Sequence, residues 1–555
     1  MFCYQCQETV KNQGCTIQGV CGKIAPVADL QDLLIYNLRG LSFWQLEAEK
    51  VNLRDPELSK FIIESLFTTL TNVNFDQDSI LFFIKKAVTL KFELKQKVIA
   101  ALKKQDQLDS LKNIPDAANW VISSNNLEDY LNKAHEIGIL ATDDLDIRSL
   151  KYLLIYGLKG MAAYLDHAQI LGYQDQAIYN FVEEALAATL VDTLNVNDYL
   201  NLIAKIGSFG VQTLALLDTA NTSTYSHPEI TTVFTGLKKG PGILVSGHDL
   251  KDLAELLEQT KDKDINIYTH GEMLPANAYP YFKKYPHLIG NFGTSWYNQQ
   301  KEFQEFKGAI LMTTNCMQKP LPEYKDRIFT TGQVQWPEVN HISARTQNGV
   351  KDFGSVITKA LAQGNLDPKE GKKLTIGFAH NTLTSVADKV VAAVKSGAIK
   401  RFVVMAGCDG RSKEREYFTN VALSLPKDTI ILTAGCAKYR YNQLDLGDID
   451  GIPRLLDAGQ CNDSYSLVVI ALKLKEAFGL EDLNQLPISF DIAWYEQKAV
   501  LILLTLLHLG IRNIHLGPTL PAFLSENILN AIVQMYNVQL IDTVDNDIEK
   551  IMAGR

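Results

Sequence analysis

Near residue 220 the spacing of apolar residues changes, and that change restricts the chain to a helical part followed by layered α/β parts. Before it, FIIESLFTTL, SILFFIKKAV and YNFVEEALAATL place apolar residues at i, i+3 and i+4, as in helices that share a core. After TANTSTYSHPE (219–229), a polar stretch that reads as a linker, short apolar or β-branched runs follow: GILVSG, DINIYTHG, GAILMTTN, KLTIGFAHN, KRFVVMAG, DTIILTAG, AVLILLTLL and IRNIHLG. Runs of this kind, bounded by glycine and separated by helical stretches, read as parallel strands buried on both faces. The fold class expected is multidomain α plus α/β, with duplicated helical bundles followed by two Rossmann-like parallel-sheet domains. A break at NLDPKEG (365–371) sets the second division, giving 1–220, 221–370 and 371–555. In a chain of 555 residues each part is long enough to bury its own core without disulfides.

The helical part repeats itself. LLIYNLRGLSFW at Leu33–Trp44 is similar to LLIYGLKGMAAY at Leu153–Tyr164. Phe61, Glu64, Leu66, Thr69 and Leu70 recur as Phe181, Glu184, Leu186, Thr189 and Leu190, at the same offset of 120. A constant offset over separate segments points to one bundle duplicated in tandem, with convergent core composition as the alternative. Neither reading carries chemistry.

The cysteines do. Cys3, Cys6, Cys15 and Cys21 form a C-x2-C-x8-C-x5-C pattern, and the next cysteine is Cys316. A C-x2-C pair lets two thiolates converge on one metal, and Gly14, Gly19 and Gly22 let the chain bend the other two inward. Zinc stays open as a ligand of this segment. Zinc ribbons, however, usually carry two C-x2-C knuckles, so iron-sulfur is favoured. Farther on, His248, Glu272, Cys316, Cys408 and Cys436 each follow one of the expected strands, at the edge where open α/β sheets assemble their sites. Cys461 and Glu496 stand just before the apolar helical stretches YSLVVIALKLKEAF and QKAVLILLTLLHLG. Singly, a buried cysteine is ordinarily an inert small hydrophobe, and a histidine or glutamate there can be a core or cap residue. Thiolate, imidazole and carboxylate together suit iron in a site that changes oxidation state.

Charge and segment type narrow the function. A formal net charge of -9 without a basic stripe gives no electrostatic basis for nucleic-acid binding. MFCYQCQETV lacks the pattern of a secretory signal, and the most apolar stretch, Ala499–Ile511, contains His508 and is too short to span a bilayer. A cytoplasmic protein without membrane attachment is expected, in which thiols read as metal ligands before disulfides. No dinucleotide fingerprint and no P-loop occur, so the electron donor is expected to be another protein.

Taken together, these motifs resemble the hybrid-cluster protein family, also called prismane proteins or hydroxylamine reductases, along the whole chain. FCYQCQET with Cys15 and Cys21 is similar to the form whose short spacings hold a cubane, which implies a [4Fe-4S] cluster on Cys3, Cys6, Cys15 and Cys21. The duplicated helical region is similar to the longer members. SGHDL, THGEMLP, TTNCMQKP, AGCDGR, TAGCAKYRYN, GQCNDSYS and WYEQKA resemble the segments that hold the family's hybrid [4Fe-2O-2S] cluster, placed between the domains. The resemblance implies that His248, Glu272, Cys316, Cys408, Cys436, Cys461 and Glu496 are its ligands, with a persulfide on Cys408. Related carbon monoxide dehydrogenases add a nickel site and cysteines beyond the 8 found here.

The activity implied is two-electron reduction of hydroxylamine to ammonia and water. The alternatives are reduction of nitric oxide to nitrous oxide in nitrosative-stress defence, and a non-enzymatic protein that senses NO or transfers it to thiols. Catalytic roles fall on Glu272, Glu496, Lys498 and Cys408. Lys498 is the candidate proton donor or anchor for the departing hydroxyl, against the plainer reading of a solvent-facing helix lysine. His270 is placed to fix Glu272 from behind. A ferredoxin-like carrier or an NADH-dependent oxidoreductase is the implied donor. A monomer is expected, with the oligomeric state open.

Overall fold

The computed structural model describes residues 1–124, 126–346 and 349–555. Its first part is helical: α1 (Ala25–Lys50), α2 (Pro56–Thr68), α3 (Gln77–Lys104), α4 (Asp116–Asn119), α5 (Leu127–Ile137), α6 (Leu145–Ile170), α7 (Gln176–Ala188) and α8 (Val196–Tyr225). Asp55, Asp76, Asp144, Asp175 and Asn195 cap α2, α3, α6, α7 and α8 by accepting from first-turn amides. Helices α1 and α6 are both 26 residues long and α2 and α7 both 13, and the members of each pair start 120 apart. The two sets interlock, because α2 packs on α6 and α7 on α1. Trp44, Phe61, Tyr164 and Phe181 consequently belong to one continuous core.

Helix α8 runs past the expected linker, and TANTSTY forms its last turns. The hydroxyls of Thr219, Thr222 and Thr224 donate to the carbonyls of Ala215, Asp218 and Ala220 at 2.8, 2.7 and 2.7 Å, so this polar run satisfies itself within the helix. Among the described residues α8 is the one helix long and apolar enough to cross a membrane. In this fold it packs against α6 and the Gln497–His508 helix.

Strand β1 (Thr231–Phe234) precedes a parallel sheet of β2 (Gly242–Ser246), β3 (Asn266–His270), β4 (Leu288–Asn291), β5 (Ala309–Met312), β6 (Ile328–Thr331) and β7 (Asn340–Ile342), in the order β4-β3-β2-β5-β6-β7. Strand β8 (Lys373–Ile376), from KLTIGFAHN, departs from expectation. It pairs antiparallel with β1 instead of joining a parallel sheet. Residues 365–371 also turn back, since Leu366 N donates to Gly240 O at 2.8 Å and Lys369 N to Leu237 O at 3.0 Å. A second parallel sheet holds β9 (Arg401–Gly407) and β10 (Thr429–Thr433), while β11 (Asp448–Ile449) and β12 (Ile452–Pro453) make a small antiparallel pair outside it. It continues with β13 (Leu455–Asp457), β14 (Ile488–Ala493), β15 (Ile514–Gly517) and β16 (Gln539–Leu540), in the order β13-β10-β9-β14-β15-β16. Strand β14 was not among the expected strands. AVLILLTLL, named both among the strands and within the helical stretch QKAVLILLTLLHLG, is the Gln497–His508 helix.

Both sheets wind outward in two directions from a central pair, β2 and β5 in the first and β9 and β14 in the second. These pairs are topological switch points, where loops diverge and leave a crevice at the carboxyl ends of the strands.

The Gln497–His508 helix lies in a groove between α6 and α8. A Cβ on Gly160 would sit 2.3 Å from Gln497 O, and one on Gly207 2.6 Å from Leu504 O. Glycine costs about 1 kcal/mol against alanine inside a helix, so these positions serve close backbone approach. Gly160→Ala should therefore destabilise the protein by about 1–3 kcal/mol through overpacking, opposite in sign to its helix propensity. The shift of the denaturant midpoint measures this, and a stabilised variant would contradict the close approach.

Candidate metal centre

Each residue singled out in the α/β parts stands just beyond a strand. His248, Glu272 and Cys316 follow β2, β3 and β5, while Cys408, Cys436, Cys461 and Glu496 follow β9, β10, β13 and β14. His248 and Cys316 thus flank one switch point, and Cys408 and Glu496 the other. Glycines let the strand ends of the second sheet crowd together. Gly407 has φ +111°, and a Cβ there would lie 2.0 Å from Ala493 O; Gly435 has φ +88°, and a Cβ there would lie 2.4 Å from Gly407 O. The two sheets meet across this edge, where Trp296 Nε1 donates to Asp409 O at 2.9 Å and Tyr439 OH to Gly271 O at 2.8 Å.

His248, Glu272 and Cys461 bring one ligand atom each to within 4.8 Å of the others, a group able to hold a metal ion. Cys461 Sγ is 3.3 Å from His248 Nε2, and Cys461 N donates to Glu272 Oε2 at 2.6 Å. Glu272 Oε1 is buried and has no hydrogen-bond partner among the described residues. Lys498 is buried, correcting the solvent-facing alternative. Its Nζ lies 3.1 Å from His248 Nε2, 3.2 Å from Cys461 Sγ and 3.4 Å from Asn315 Oδ1.

Burial, then Lys498 and His167, hold the His248 imidazole well below its usual pKa and therefore neutral. Lys498 donates to Nε2, so the proton of the ring sits on Nδ1, 2.8 Å from Thr314 Oγ1. Nε2 keeps the lone pair that a metal requires.

The thiols face one another in a poorly solvated space. Burial, followed by the Glu496 carboxylate, pushes Cys408 up to about 12, and burial raises Cys316, Cys436 and Cys461 well above the ordinary thiol value. Burial likewise raises Glu496, against the pull of Lys498. Burial alone would lower the Lys498 ammonium, but Cys461, Glu496 and Cys316 outweigh it and raise it. Glu496 also caps its helix, with Oε2 accepting from Lys498 N at 2.7 Å. Cys408, Cys461 and Lys498 border an apolar cavity of about 70 Å³ walled by residues such as Val468, Ile492 and Ile502.

The four N-terminal cysteines make a second group. Cys3 and Cys15 exchange backbone hydrogen bonds at 3.0 and 2.8 Å. The Cys6 thiol is driven well up by burial and then by Cys21, Cys3, Glu8 and Cys15. Two short links tie this loop to the first group: Gln7 N donates to Tyr495 O at 2.9 Å, and Gln497 Nε2 to Gln5 O at 2.6 Å. All eight cysteines are free thiols.

His270 does not fix Glu272. Its ring binds Ser246 Oγ and Glu302 Oε2, both at 2.9 Å, because Gly271 at φ +56° sends Glu272 the other way. The sequence reading also missed Thr314, Asn315, Arg415 and Tyr164. Arg415, fully buried, donates to the carbonyls of Cys408 at 3.2 Å and Trp494 at 2.7 Å and to Gln7 Oε1 at 2.9 Å. Tyr164 OH reaches Cys461 O at 3.3 Å. Its only sequence signal is a departure from the repeat, since the matching position is Trp44.

The sequence profile of the Prismane/CO dehydrogenase family matches residues 1–549. The chain is 60% identical to the hydroxylamine reductase of Kosmotoga olearia over 555 residues, covering 100% of both chains. It is 58% identical to the hydroxylamine reductase of Petrotoga mobilis over 541 residues, covering 98% of this chain and 100% of that one. Among solved structures, carbon monoxide dehydrogenase IV of Carboxydothermus hydrogenoformans matches with a TM-score of 0.57 at 16% identity, over 99% of this chain and 92% of that one. At that identity the likeness is one of fold.

Since burial raises Cys316, Cys408, Cys436 and Cys461 and keeps these thiols protonated near neutral pH, metal uptake by apoprotein must displace protons and should strengthen as pH rises from about 6 to 9. Proton release into weak buffer during anaerobic iron and sulfide reconstitution checks this. Uptake independent of pH would contradict it.

Proposed function

The chain belongs to the Prismane/CO dehydrogenase family, and on that premise we propose that it is a hydroxylamine reductase, an oxidoreductase acting on nitrogenous compounds. The reaction takes hydroxylamine, two electrons and two protons to ammonia and water. Cys3, Cys6, Cys15 and Cys21 would hold a [4Fe-4S] cluster, and His248, Glu272, Cys316, Cys408, Cys436, Cys461 and Glu496 a hybrid [4Fe-2O-2S] cluster with a persulfide on Cys408. The donor set fits: soft thiols, a neutral imidazole with an unprotonated Nε2, and a carboxylate oxygen left without a partner among the described residues. When bound, these groups supply single electrons and an iron site for the nitrogen–oxygen substrate.

The observation that carries this reading is Lys498. Cleavage of an N–O bond leaves an oxygen that needs a proton, and Lys498 presents a protonated ammonium beside His248 Nε2 and Cys461 Sγ at the end of the cavity. The Glu496 carboxylate favours the charged ammonium, and Cys461 Sγ accepts from it at 3.2 Å, until substrate demands the proton. Thr314 and Asn315 fix His248 and Lys498 in position, while Tyr164 closes the site from α6. The apolar cavity walls limit competing water.

The same walls favour a second reading, nitric oxide reduced to nitrous oxide. A small neutral molecule that forms few hydrogen bonds enters such a cavity without the desolvation cost that hydroxylamine meets. Competition between the two substrates under anaerobic conditions ranks them. Electrons come from a protein donor, either a ferredoxin-like carrier or an NADH-dependent oxidoreductase.

Lys498→Met should lower hydroxylamine-dependent oxidation of reduced viologen at least about 100-fold per bound iron, the usual scale for loss of a general acid. Unchanged turnover at equal iron content would remove Lys498 from the mechanism.

A further inference from the structure

Cys316 is the one proposed ligand whose own backbone is strained. Its φ is +73°, in the left-handed region where a Cβ crowds the neighbouring carbonyl and where glycine or asparagine ordinarily stands. Among the described residues, the others at positive φ that are neither glycine, asparagine nor aspartate are Lys11, Ser226 and Glu338, all exposed. Cys316 instead packs with Cys408 on Trp296, Cys436 and Tyr495, and Asn315 Nδ2 reaches its sulfur at 3.4 Å. A conformation of this kind persists inside a protein only when its surroundings impose it.

Two buried glutamines do so. Gln299, 2% exposed, opens the Gln299–Glu305 helix, and its amide makes two bonds: Nε2 donates to Cys316 O at 2.5 Å, and Oε1 accepts from Gln318 N at 3.1 Å. Gln318 returns the contact, since its Nε2 donates to Trp296 O at 2.6 Å. Between them Met317 N donates to Asn72 O at 3.0 Å, in the helical part. The carbonyl of Cys316 and the two amides after it are thus each fixed from outside the segment. An apolar side chain at position 299 would leave a buried acceptor and a buried donor without that partner. Freed of the clamp, Cys316 can return to negative φ, and the rotation about its N–Cα bond swings Cβ and sulfur relative to β5, away from Cys408 and Cys436.

We propose that Gln299 is a positioning residue of the metal centre: it holds Cys316 in the left-handed conformation from which its sulfur serves the hybrid cluster. The proposal rests on the reading that Cys316 is a ligand of that cluster. Gln299 acts through the Cys316 carbonyl, and its hydrogen bonds among the described residues go to backbone groups alone. Its effect is confined to one cluster, because the N-terminal cysteine loop is closed by its own backbone bonds, Cys3 with Cys15 and Gly19 with Lys23.

The test compares anaerobically purified holoenzymes by Mössbauer spectroscopy, viologen-driven turnover per iron and thermal unfolding. Gln299→Leu should change the spectrum of the hybrid cluster, leave that of the N-terminal cluster as in the wild type, and lower turnover about 10- to 100-fold, the usual scale for a residue that orients a metal ligand. Gln300→Leu is the comparator, because Gln300 Nε2 makes the same kind of bond to Lys319 O at 3.0 Å, just past the clamped segment. It should leave both spectra and the turnover unchanged, whatever it does to the unfolding temperature. Should Gln299→Leu not accumulate as folded protein, Gln299→Asn decides in its place, since it keeps the amide on a side chain one methylene shorter: a changed hybrid-cluster spectrum supports the clamp, and a wild-type spectrum overturns it. A wild-type spectrum and rate in Gln299→Leu overturn the proposal, as does an equal change of spectrum in Gln300→Leu. An unchanged hybrid-cluster spectrum in Cys316→Ala overturns instead the ligand reading beneath it.

Discussion

A buried ammonium facing buried thiols and carboxylates is the constraint around which this molecule is arranged. Cys316, Cys408, Cys436, Cys461, Glu272 and Glu496 lie where water cannot compensate their charge, and Lys498 brings an ammonium to them while the Arg415 guanidinium stands beside Cys408. These two positive charges cannot balance the whole set in ionised form, because unpaired buried anions are costly. The thiols hold protons, or a metal takes their place. Glu272 Oε1, buried without a partner, makes the same point for oxygen. Such a site is stable only if every element presenting it is fixed independently.

The fold supplies that fixing from three directions. Two sheets of the same strand order bring their switch points face to face, so that loops after β2, β3 and β5 meet loops after β9, β10, β13 and β14. The Gln497–His508 helix, which carries Glu496 at its cap and Lys498 in its first turn, is seated in the glycine-lined groove between α6 and α8. The helical part, which holds no proposed ligand except in its N-terminal loop, therefore sets the position of the ammonium. Arg415 and Gln497 then tie that loop to the residues around Cys408 and Glu496, joining the two cysteine groups through a few hydrogen bonds.

Much of this was legible in the sequence, for identifiable reasons. Buried parallel strands are continuous apolar runs that stop where ligand-type residues begin, after a glycine at His248, Glu272, Cys408 and Cys436 and after Thr-Thr-Asn at Cys316, so these five could be placed at strand ends directly. Strand β14 escaped because Ser489 and Asp491 interrupt its apolar character, although both are buried. AVLILLTLL reads equally well as strand or helix, and only the cap at Glu496 and its length decide for helix. The last turns of α8 looked like a linker because threonines that bond back to the helix resemble threonines in a loop. Directions of side chains were the least legible feature. Whether His270 faces Glu272 depends on the φ of Gly271, and whether Lys498 faces solvent depends on a groove built from helices more than 270 residues earlier in the chain.

Metal analysis of anaerobically purified protein tests the central claim most directly. Iron, zinc and acid-labile sulfide are measured per chain, with a Mössbauer spectrum of the same sample. The account predicts about eight irons, fewer sulfides than irons and two distinguishable iron environments, one for each cysteine group. Zinc on the N-terminal cysteines, or a single type of iron cluster, would contradict it.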